Sequence, residues 1–467
     1  MLLLFPLMAR AAPRGPYAEQ LARECDALLD DAVRRPYGWG WDSATLAAAS
    51  ATNTPRHVQL EPPGTPGAAL MLLWAGQLLD QPRYTQAAME AARGVAASQV
   101  AAGKIPEHVI FGPTSTSSRD PSAAVPDRSG TRAALALFIT VMQADPATPD
   151  AIHRSAQRAA QWMLRQQTEE GAWPSANVAS DDPKNPDRII RLDTTEYRDS
   201  TLLLLMAADA MDDPAVVRAA NKAVARLISL RIRQPSPLNE PQNPDDAPEP
   251  DRQSDPTAAP NPGNLWNSAY RLDGKVDPDS KNFPLGADML ASRLALQTLI
   301  GGYLLMGERQ TGLALDGSMT AAARLADPDG KWRRLYPSTP STQPFVEDNS
   351  IFGPPTTQSS RITGTFELPR TLESARQLKL VGQERYRNML AGQIGIQQQI
   401  SATVCGLIDT PFSLDLPLIR SEVGPYLESH QALFNELKWD PPQDLSARVR
   451  RLWLLLLRAR LELMQQS

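Results

Sequence analysis

The sequence predicts an all-α protein, an α/α toroid of the incomplete (α/α)6-barrel type, built from two-helix hairpins with long proline-rich loops. Segments that are apolar on nearly all sides alternate with segments that carry a single apolar stripe. The same turn residues recur between these segments, and the 42 prolines cluster there. A helix that is apolar all round is buried, whereas a striped helix packs only one face. Each hairpin is therefore expected to pair an inner helix with an outer one.

The positions of the helices are predicted from apolar residues at helical spacing. Inner helices are expected at 63–80, 128–145, 194–213 and 284–308, with outer partners at 83–103, 150–167, 214–232 and 312–327. Further helices are expected at 16–35, 372–380, 385–400, 413–434 and 445–466. The segment 234–264 is rich in proline and acidic residues, which cannot form a core, so it is predicted to be a long surface loop.

The turns around the outer helices repeat. Pro82 and Pro214 each precede an Ala-Ala pair by five residues, and proline suits the first position of a helix because its missing N–H would be unpaired there. Glycine just past a helix end can take the left-handed conformation. The recurring turn residues are Gln99 and Gly103, Gln167 and Gly171, and then Gly171-x-Trp173 and Gly330-x-Trp332. These matching offsets indicate a repeated hairpin unit.

Composition narrows the class of protein. The formal net charge is −5 and no run of Lys or Arg appears, so no nucleic-acid partner is expected. Cys25 and Cys405 are the only cysteines, too few for a disulfide framework or a thiolate metal site. No segment besides the N-terminus approaches the length of apolar chain that a membrane span requires, and a monomer is expected.

The N-terminal segment has some features of a signal peptide. Residues 1–8 are apolar and Ala9-Arg10-Ala11 follows as an A-x-A cleavage pattern, but no basic residue precedes the apolar run. A signal peptide at 1–11 with a truncated start predicts a secreted or periplasmic protein. An unstructured cytosolic tail is the alternative. The remainder, 12–467, is predicted to be a single toroid domain that ends in a helical segment at 370–467.

Four segments in order carry a family resemblance. They are GTPGAALMLLWAGQLLDQPRYTQAAMEAARGVAASQ, AAQWMLRQQTEEGAWPSANV, RIIRLDTTEYRDSTLLLLMAADAMDDP and DPDGKWRRLY. Together the block 64–336 resembles the pectic acid lyase family, polysaccharide lyase family ten, including its Gln-x-x-x-Gly-x-Trp-Pro turn. The resemblance implies an α/α toroid with a groove at one end and cleavage of an acidic polysaccharide by β-elimination.

The resemblance also implies what the site must contain. In β-elimination a base removes the C5 proton of a uronic acid, the charge on the C6 carboxylate is neutralised, and O4 leaves. Ca²⁺ held by carboxylates, or arginine, can neutralise that charge, and the base in this family is an arginine. Asp193 and Glu196 are therefore expected to bind metal, and Arg198 to bind substrate. Arg271 and Lys281 are the candidates for the base.

The chain departs from the family at these positions. Asp193-Thr194 stands where the family has Asn-Asp, and Lys281-Asn282-Phe283-Pro284 stands where the family has its catalytic arginine. Asp193 also fits a helix N-cap. A catalytically degenerate toroid that binds carbohydrate or serves as a scaffold is therefore an alternative function. A glycoside hydrolase with paired carboxylates is a third.

Aromatic residues and the surrounding charges complete the candidate site. The wider charged loop adds Asp181, Asp182, Arg188, Arg191 and Asp199, and a second charged cluster spans 270–281. Four tryptophans in loops are candidate platforms for sugar rings: Trp39, Trp41, Trp173 and Trp266. The alternative is that these rings fill gaps between hairpins, and this is the stronger expectation for Trp173, which lies in the repeated turn.

Overall fold

The computed structural model describes residues 15–42, 54–118, 128–175, 189–232, 263–276, 286–337, 363–414 and 444–466. Several sequence-based predictions fall outside these residues. They are the signal peptide at 1–11, Asp181, Asp182, Arg188, Lys281, nearly all of the loop at 234–264 and nearly all of the helix expected at 413–434.

The described residues form mostly helices, as predicted. The helices are α1 (Pro16–Asp30), α2 (Gly64–Leu79), α3 (Pro82–Ala97), α4 (Ser129–Ala144), α5 (Asp150–Gln166), α6 (Thr195–Met211), α7 (Pro214–Ser229), α8 (Met289–Met306), α9 (Arg309–Leu325), α10 (Leu368–Val381), α11 (Gln383–Gln393), α12 (Ile396–Val404) and α13 (Leu445–Gln466). Each of the four predicted inner–outer pairs is present, with its boundaries shifted by up to six residues.

Short strands connect the helices, and the sequence analysis did not predict them. They are β1 (Val33–Arg35), β2 (Gly38–Gly40), β3 (Arg56–Gln59), β4 (His108–Phe111), β5 (Thr116–Ser118), β6 (Ile189–Arg191), β7 (Ala269–Arg271), β8 (Gly286–Asp288), β9 (Trp332–Arg333), β10 (Leu335–Pro337) and β11 (Thr363–Gly364). All pairings are antiparallel: β1 with β2, β3 with β4, β4 with β5, β6 with β7, β8 with β10 and β9 with β11.

The chain divides into two compact units: unit 1 is Met1–Arg165 with Ala391–Ser467, and unit 2 is Gln166–Leu390. In unit 1, α2 and α4 are buried along almost their whole length, whereas α3 and α5 bury one stripe. In unit 2, α6 is largely buried and α8 almost wholly so, while α7 and α9 bury one stripe. The predicted division into inner and outer helices is confirmed, and the single domain over 12–467 stays a prediction.

The turn after the outer helices recurs in both units with the same backbone hydrogen bonds. The N–H of its first residue donates to the carbonyl four residues later, and the N–H of its glycine donates to the first residue's carbonyl. This holds for Val100–Lys104 in unit 1 and for Thr168–Ala172 and Asp327–Lys331 in unit 2. Gly171 and Gly330 have φ values of +94° and +70°, a conformation that glycine adopts at little cost. The predicted glycine turn is therefore a repeated structural element.

The glutamine of the turn explains its fixed offset. The side-chain amide of Gln167 donates to the carbonyls of Gly171 and Ala219, each at 3.1 Å. The amide of Gln99 donates to the carbonyls of Gly103 at 2.9 Å and Ser155 at 3.0 Å. In each case one amide ties the turn to the following outer helix. The spacing of four residues places the amide beside the glycine.

Outside the four helix pairs, one predicted helix ends early and another is broken. α1 ends at Asp30 rather than at Arg35, and 33–35 form β1 instead. Arg35 precedes Pro36, and the residue before proline disfavours helix. The helix expected at 385–400 is broken between α11 and α12, with Gly395 at the N-cap of α12. Glycine inside a helix costs about 1 kcal/mol relative to alanine, so a break there is favoured.

By length and composition alone, α8 could cross a membrane, which the sequence analysis missed. Its 18-residue window has a mean hydropathy of 1.3, and 78% of that window is buried inside the protein. A buried core helix meets the same criteria. Within the described residues, α8 is the core helix of unit 2.

Candidate functional site

The entries to α6 and α8 carry the charged residues of the candidate site. These two helices pack against each other; β6 lies just before α6, and β8 leads directly into α8. The Leu192 N–H donates to the Ser268 carbonyl at 2.7 Å, and the Asp288 N–H donates to the Trp266 carbonyl at 2.9 Å. The segment that contains β7 is thus bonded to the entries of both helices.

Arg191, at the end of β6, forms a bidentate ion pair with Asp193. The guanidinium Nε lies 2.9 Å from Oδ1, and Nη2 lies 2.6 Å from Oδ2. The two side chains are only 18% and 8% exposed. The hydrogen bonds that Arg191 donates to Asp193 are the main reason that the pKa of Arg191 is raised, and the charges of Asp193, Asp288 and Glu196 add to this. Arg191 is therefore firmly held in its charged form.

Asp288 is the N-cap of α8 and is buried. Its Oδ1 accepts from the N–H groups of Leu290 and Ala291 at 2.8 and 3.0 Å, and its Oδ2 accepts from the Ser268 hydroxyl at 2.9 Å. Arg334 lies beside Oδ2, with its Nε at 3.7 Å. Burial raises the pKa of Asp288, the nearby Asp193 raises it further, and Arg334 and the hydrogen bonds oppose the shift.

These contacts bring two arginine–aspartate pairs into one cluster, which we call the arginine–aspartate cluster: Arg191, Asp193, Asp288 and Arg334. Arg191 interacts electrostatically with the aspartates of both pairs. Arg334 is the more accessible cation, since a third of its side chain is exposed. Glu196, in the first turn of α6, is half-buried and also contributes to the field at Arg191. The cluster can offer cations to an anionic ligand.

Asp193 was predicted to cap α6, and this was wrong by one residue. The N-cap is Thr194 and the helix begins at Thr195. Asp193 pairs with Arg191 instead. Its expected role as a metal ligand conflicts with this geometry, because both carboxylate oxygens are already occupied by the guanidinium. Asp193 and Glu196 as arranged do not fit a Ca²⁺ site, and we derive no step through Ca²⁺.

Arg198, predicted to bind substrate, points into the interior. Its side chain is 2% exposed, and its Nε donates to Asp199 Oδ1 at 2.9 Å. Its Nη1 donates to Gln297 Oε1 at 2.7 Å, and the Gln297 amide donates in turn to the Thr371 hydroxyl at 3.3 Å. This chain of polar contacts links α6, α8 and α10. The structure therefore places Arg198 in a structural role, out of reach of a glycan.

Three of the four candidate tryptophans are buried and hydrogen-bonded, which leaves no ring face for a sugar. The indole N–H groups donate as follows: Trp41 to the Leu28 carbonyl at 2.7 Å, Trp266 to the Leu227 carbonyl at 2.8 Å, and Trp173 to the Thr201 hydroxyl at 3.1 Å. They fill gaps between helices, as the alternative interpretation had it. Trp39 is half-buried, and the Arg34 guanidinium lies 4.6 Å from its ring centroid.

Only one of the two candidate bases, Arg271, lies within the described residues. Arg271 ends β7 with an exposed side chain, and its strand partner is Ile189. Arg191 pairs instead with Ala269, two residues along the same strand. Arg271 is therefore a diagonal neighbour of Arg191 on the same face of the β6–β7 pair. Lys281 lies outside the described residues.

The sequence analysis did not select Asp288, Arg334 or Ser268. A signal existed for Asp288, because an aspartate directly before an apolar helical run is a typical N-cap. Arg334 lies in the DPDGKWRRLY segment, and nothing in that segment distinguishes it from Arg333. Its position depends on the backbone hydrogen bond from Met289 to the Arg334 carbonyl, at 2.9 Å.

No protein-family model matches this sequence, and no curated protein matches it. Solved structures do. A mutant family 10 polysaccharide lyase from Cellvibrio cellulosa, in complex with trigalacturonic acid, is 11% identical and matches with a TM-score of 0.39 over 68% of this chain and 98% of that one. A GH76 α-mannanase from Bacteroides thetaiotaomicron is 10% identical, with a TM-score of 0.37 over 78% and 84% of the two chains.

A third solved structure, a polysaccharide lyase, is 9% identical and matches with a TM-score of 0.36 over 96% of this chain and 99% of that one. The all-α class predicted from the sequence is confirmed by the helical content and by the inner–outer helix pairs within each unit. At these low identities and TM-scores, the likenesses do not show what this chain binds or does. The chemistry of this chain has to be argued from its own residues.

Proposed function

We propose that this protein binds acidic glycans at the arginine–aspartate cluster of unit 2 and cleaves them by β-elimination. The observation that carries the proposal is the cluster itself, in which Arg191 and the partly exposed Arg334 lie at the entries of two adjacent core helices. The order of the lyase-like motifs along 64–336 supports it.

Each residue has a defined part in this proposal. Arg334, whose guanidinium side chain is partly exposed, meets the C6 carboxylate of a uronic acid and stabilises the negative charge that develops there. Arg191, held by Asp193, maintains the positive potential behind it. Arg271, across the β6–β7 pair from Arg191, acts as the base in its neutral guanidine form and takes the C5 proton. The C5–H electron pair forms the C4–C5 double bond as the C4–O4 bond breaks, and the departing O4 takes a proton from water.

A second function is favoured by a specific observation. Arg191 and Arg334 are already ion-paired with Asp193 and Asp288, so part of their charge is neutralised before any ligand arrives. A glycan-binding protein without catalysis needs only the remaining positive potential. Under this alternative, acidic oligosaccharides bind but remain uncleaved.

The two functions are separated by ultraviolet absorbance during incubation with polygalacturonate, first with Ca²⁺ and then with EDTA. β-Elimination produces a conjugated double bond that absorbs, whereas binding and hydrolysis do not. We expect Arg271→Ala to lower the rate by about 100-fold or more, as for loss of a general base, and Arg334→Ala to weaken substrate binding. Arg309→Ala, an exposed arginine at the start of α9, is the matched control.

The outcomes are distinct. A rise in absorbance that Arg271→Ala abolishes and Arg309→Ala leaves intact supports the lyase. Binding of trigalacturonate by calorimetry, weakened by Arg334→Ala but with no absorbance change, supports the binding protein. Neither binding nor absorbance over a panel of uronic-acid polymers would reject both functions at this cluster.

A further inference from the structure

Three potential metal ligands meet in unit 1. Glu61 lies just before α2, whereas Glu107 and His108 lie at the start of β4. One ligand atom from each side chain falls within 4.8 Å of the other two. Within the residues that the structure describes, this is the one group of histidine, cysteine or carboxylate side chains with that spacing. Almost fifty residues of chain separate Glu61 from the other two.

The backbone fixes these three positions in advance. The N–H groups of Leu60 and Glu61 both donate to the Glu107 carbonyl, at 2.6 and 3.2 Å. Gln59 on β3 is the direct strand partner of His108 on β4. Leu60 is fully buried, which anchors the chain beside Glu61. A preorganised set of ligands loses little entropy when a cation binds.

The distance between the His108 and Glu61 side chains suits a small cation. His108 Nε2 lies 3.5 Å from Glu61 Oε1, beyond the usual 2.7–3.2 Å of a hydrogen bond. Tetrahedral coordination at about 2.0–2.2 Å from zinc places two ligand atoms about 3.4 Å apart. The Gln59 amide donates to the same Glu61 oxygen at 3.3 Å and so orients the carboxylate. The His108 and Glu61 side chains are 42% and 36% exposed, which leaves a route for a hydrated ion.

We propose that Glu61, Glu107 and His108 bind one divalent cation of the zinc type, with water completing the coordination. Imidazole nitrogen together with carboxylate oxygen suits zinc and its transition-metal neighbours, whereas Ca²⁺ and Mg²⁺ favour sets made only of oxygen. None of these three residues belongs to the arginine–aspartate cluster of unit 2. Bound metal joins β4 to the segment that enters α2.

The test is calorimetric titration of the full-length, tag-free, metal-stripped protein with ZnCl₂. The wild-type protein is expected to bind one equivalent, and His108→Ala to bind zinc at least about 10-fold more weakly, as even loss of a supporting group does at metal sites. His153→Ala is the matched control, because His153 is a half-buried histidine on α5 outside the three-residue group. Circular dichroism without metal verifies that both variants fold.

Thermal unfolding gives a second readout, since a ligand that binds only the folded state raises the unfolding temperature. Zinc is expected to raise it for the wild-type protein and for His153→Ala, but not for His108→Ala or Glu61→Gln. The proposal is overturned if zinc does not bind, or if His108→Ala binds zinc as tightly as the wild-type protein. It is equally overturned if Ca²⁺ occupies these residues in preference to zinc.

Discussion

Asp288 shows how one buried carboxylate can serve as a helix cap at an electrostatic cost. Four groups donate to it or lie beside it: two backbone N–H groups, the Ser268 hydroxyl and Arg334. Burial nevertheless raises its pKa. The folded state therefore binds more protons than the unfolded state between the unfolded pKa, about 3.9, and the higher folded pKa. In that window the free energy of unfolding falls as pH rises.

Asp288→Asn is expected to remove this pH dependence. Asparagine is also a good N-cap, and its amide oxygen can accept the hydrogen bonds from Leu290 and Ala291 without burying a charge. The stability of the wild-type protein relative to the variant should thus decline as pH rises from about 4, the unfolded pKa of aspartate. Urea unfolding at several pH values measures the difference. Asp329→Asn, at an exposed position, controls for the loss of one charge. A wild-type stability that rises with pH relative to that of Asp288→Asn would contradict the prediction.

At the scale of single residues, the sequence predicted where charged residues cluster better than it predicted which of them form ion pairs. The charged loop before α6 could be recognised from its composition, and Asp193 belongs to that loop. Its pairing with Arg191 could not be predicted, because it depends on where the first turn of α6 begins. Arg198 and Asp199 lie one turn further along and face α8 and the interior. A shift of one residue at a helix start decides which charges are exposed.

At the scale of a single structural element, the two glycines of the repeated turn allow a controlled comparison. Gly171 and Gly330 occupy the same position in the same turn and both have positive φ. A Cβ at Gly171 would lie 2.5 Å from the backbone carbonyl carbon and oxygen of Lys222 on α7, whereas a Cβ at Gly330 would meet nothing within 4 Å. Only the first glycine is needed for close approach.

Gly171→Ala is therefore expected to destabilise the protein more than Gly330→Ala. Positive φ costs a non-glycine residue about 1–2 kcal/mol at either site, and the clash with α7 adds about 1–3 kcal/mol at Gly171 alone. Chemical denaturation of both variants and the wild-type protein gives the two changes in unfolding free energy. Equal losses would show that the turn can move away from α7.

Helices were predicted well and strands were not, for a physical reason. The apolar character of α2 and α8 and the proline that opens α3 and α7 are local signals. The strands are two to four residues long, too short to show alternation, and most are paired with distant segments. β6 pairs with β7, for example, nearly eighty residues along the chain. The candidate site depends on these strands, so its geometry could not be predicted either.

On the scale of the whole molecule, the first and last helices of the described residues pack together in unit 1. α13 packs against α1, and Arg451 pairs with Glu24 at 2.9 Å. Arg448 pairs with Asp31. Glu462 accepts from the Tyr17 and Ala18 N–H groups at 3.4 and 3.3 Å, and its negative charge at the start of α1 is favourable. Contacts more than four hundred residues apart leave no local trace in the sequence.

The two cysteines report on the integrity of this unit. Cys25 on α1 and Cys405 after α12 both belong to unit 1, and both are fully buried. Burial also raises the pKa of the Cys25 thiol, which disfavours the reactive thiolate. Reaction with a thiol reagent therefore requires the unit to open.

Native protein is accordingly expected to react with Ellman's reagent at least about 1000-fold more slowly than unfolded protein, because a domain that is stable by about 5 kcal/mol or more rarely opens. In strong denaturant both thiols should react rapidly. Cys405→Ser leaves Cys25 as the only thiol and assigns the slow phase to α1. Glu462→Ala, which removes the cap from α1, should then speed the reaction of Cys25. A Cys25 thiol that reacts in native protein as fast as in denaturant would show that α13 does not hold α1 in place.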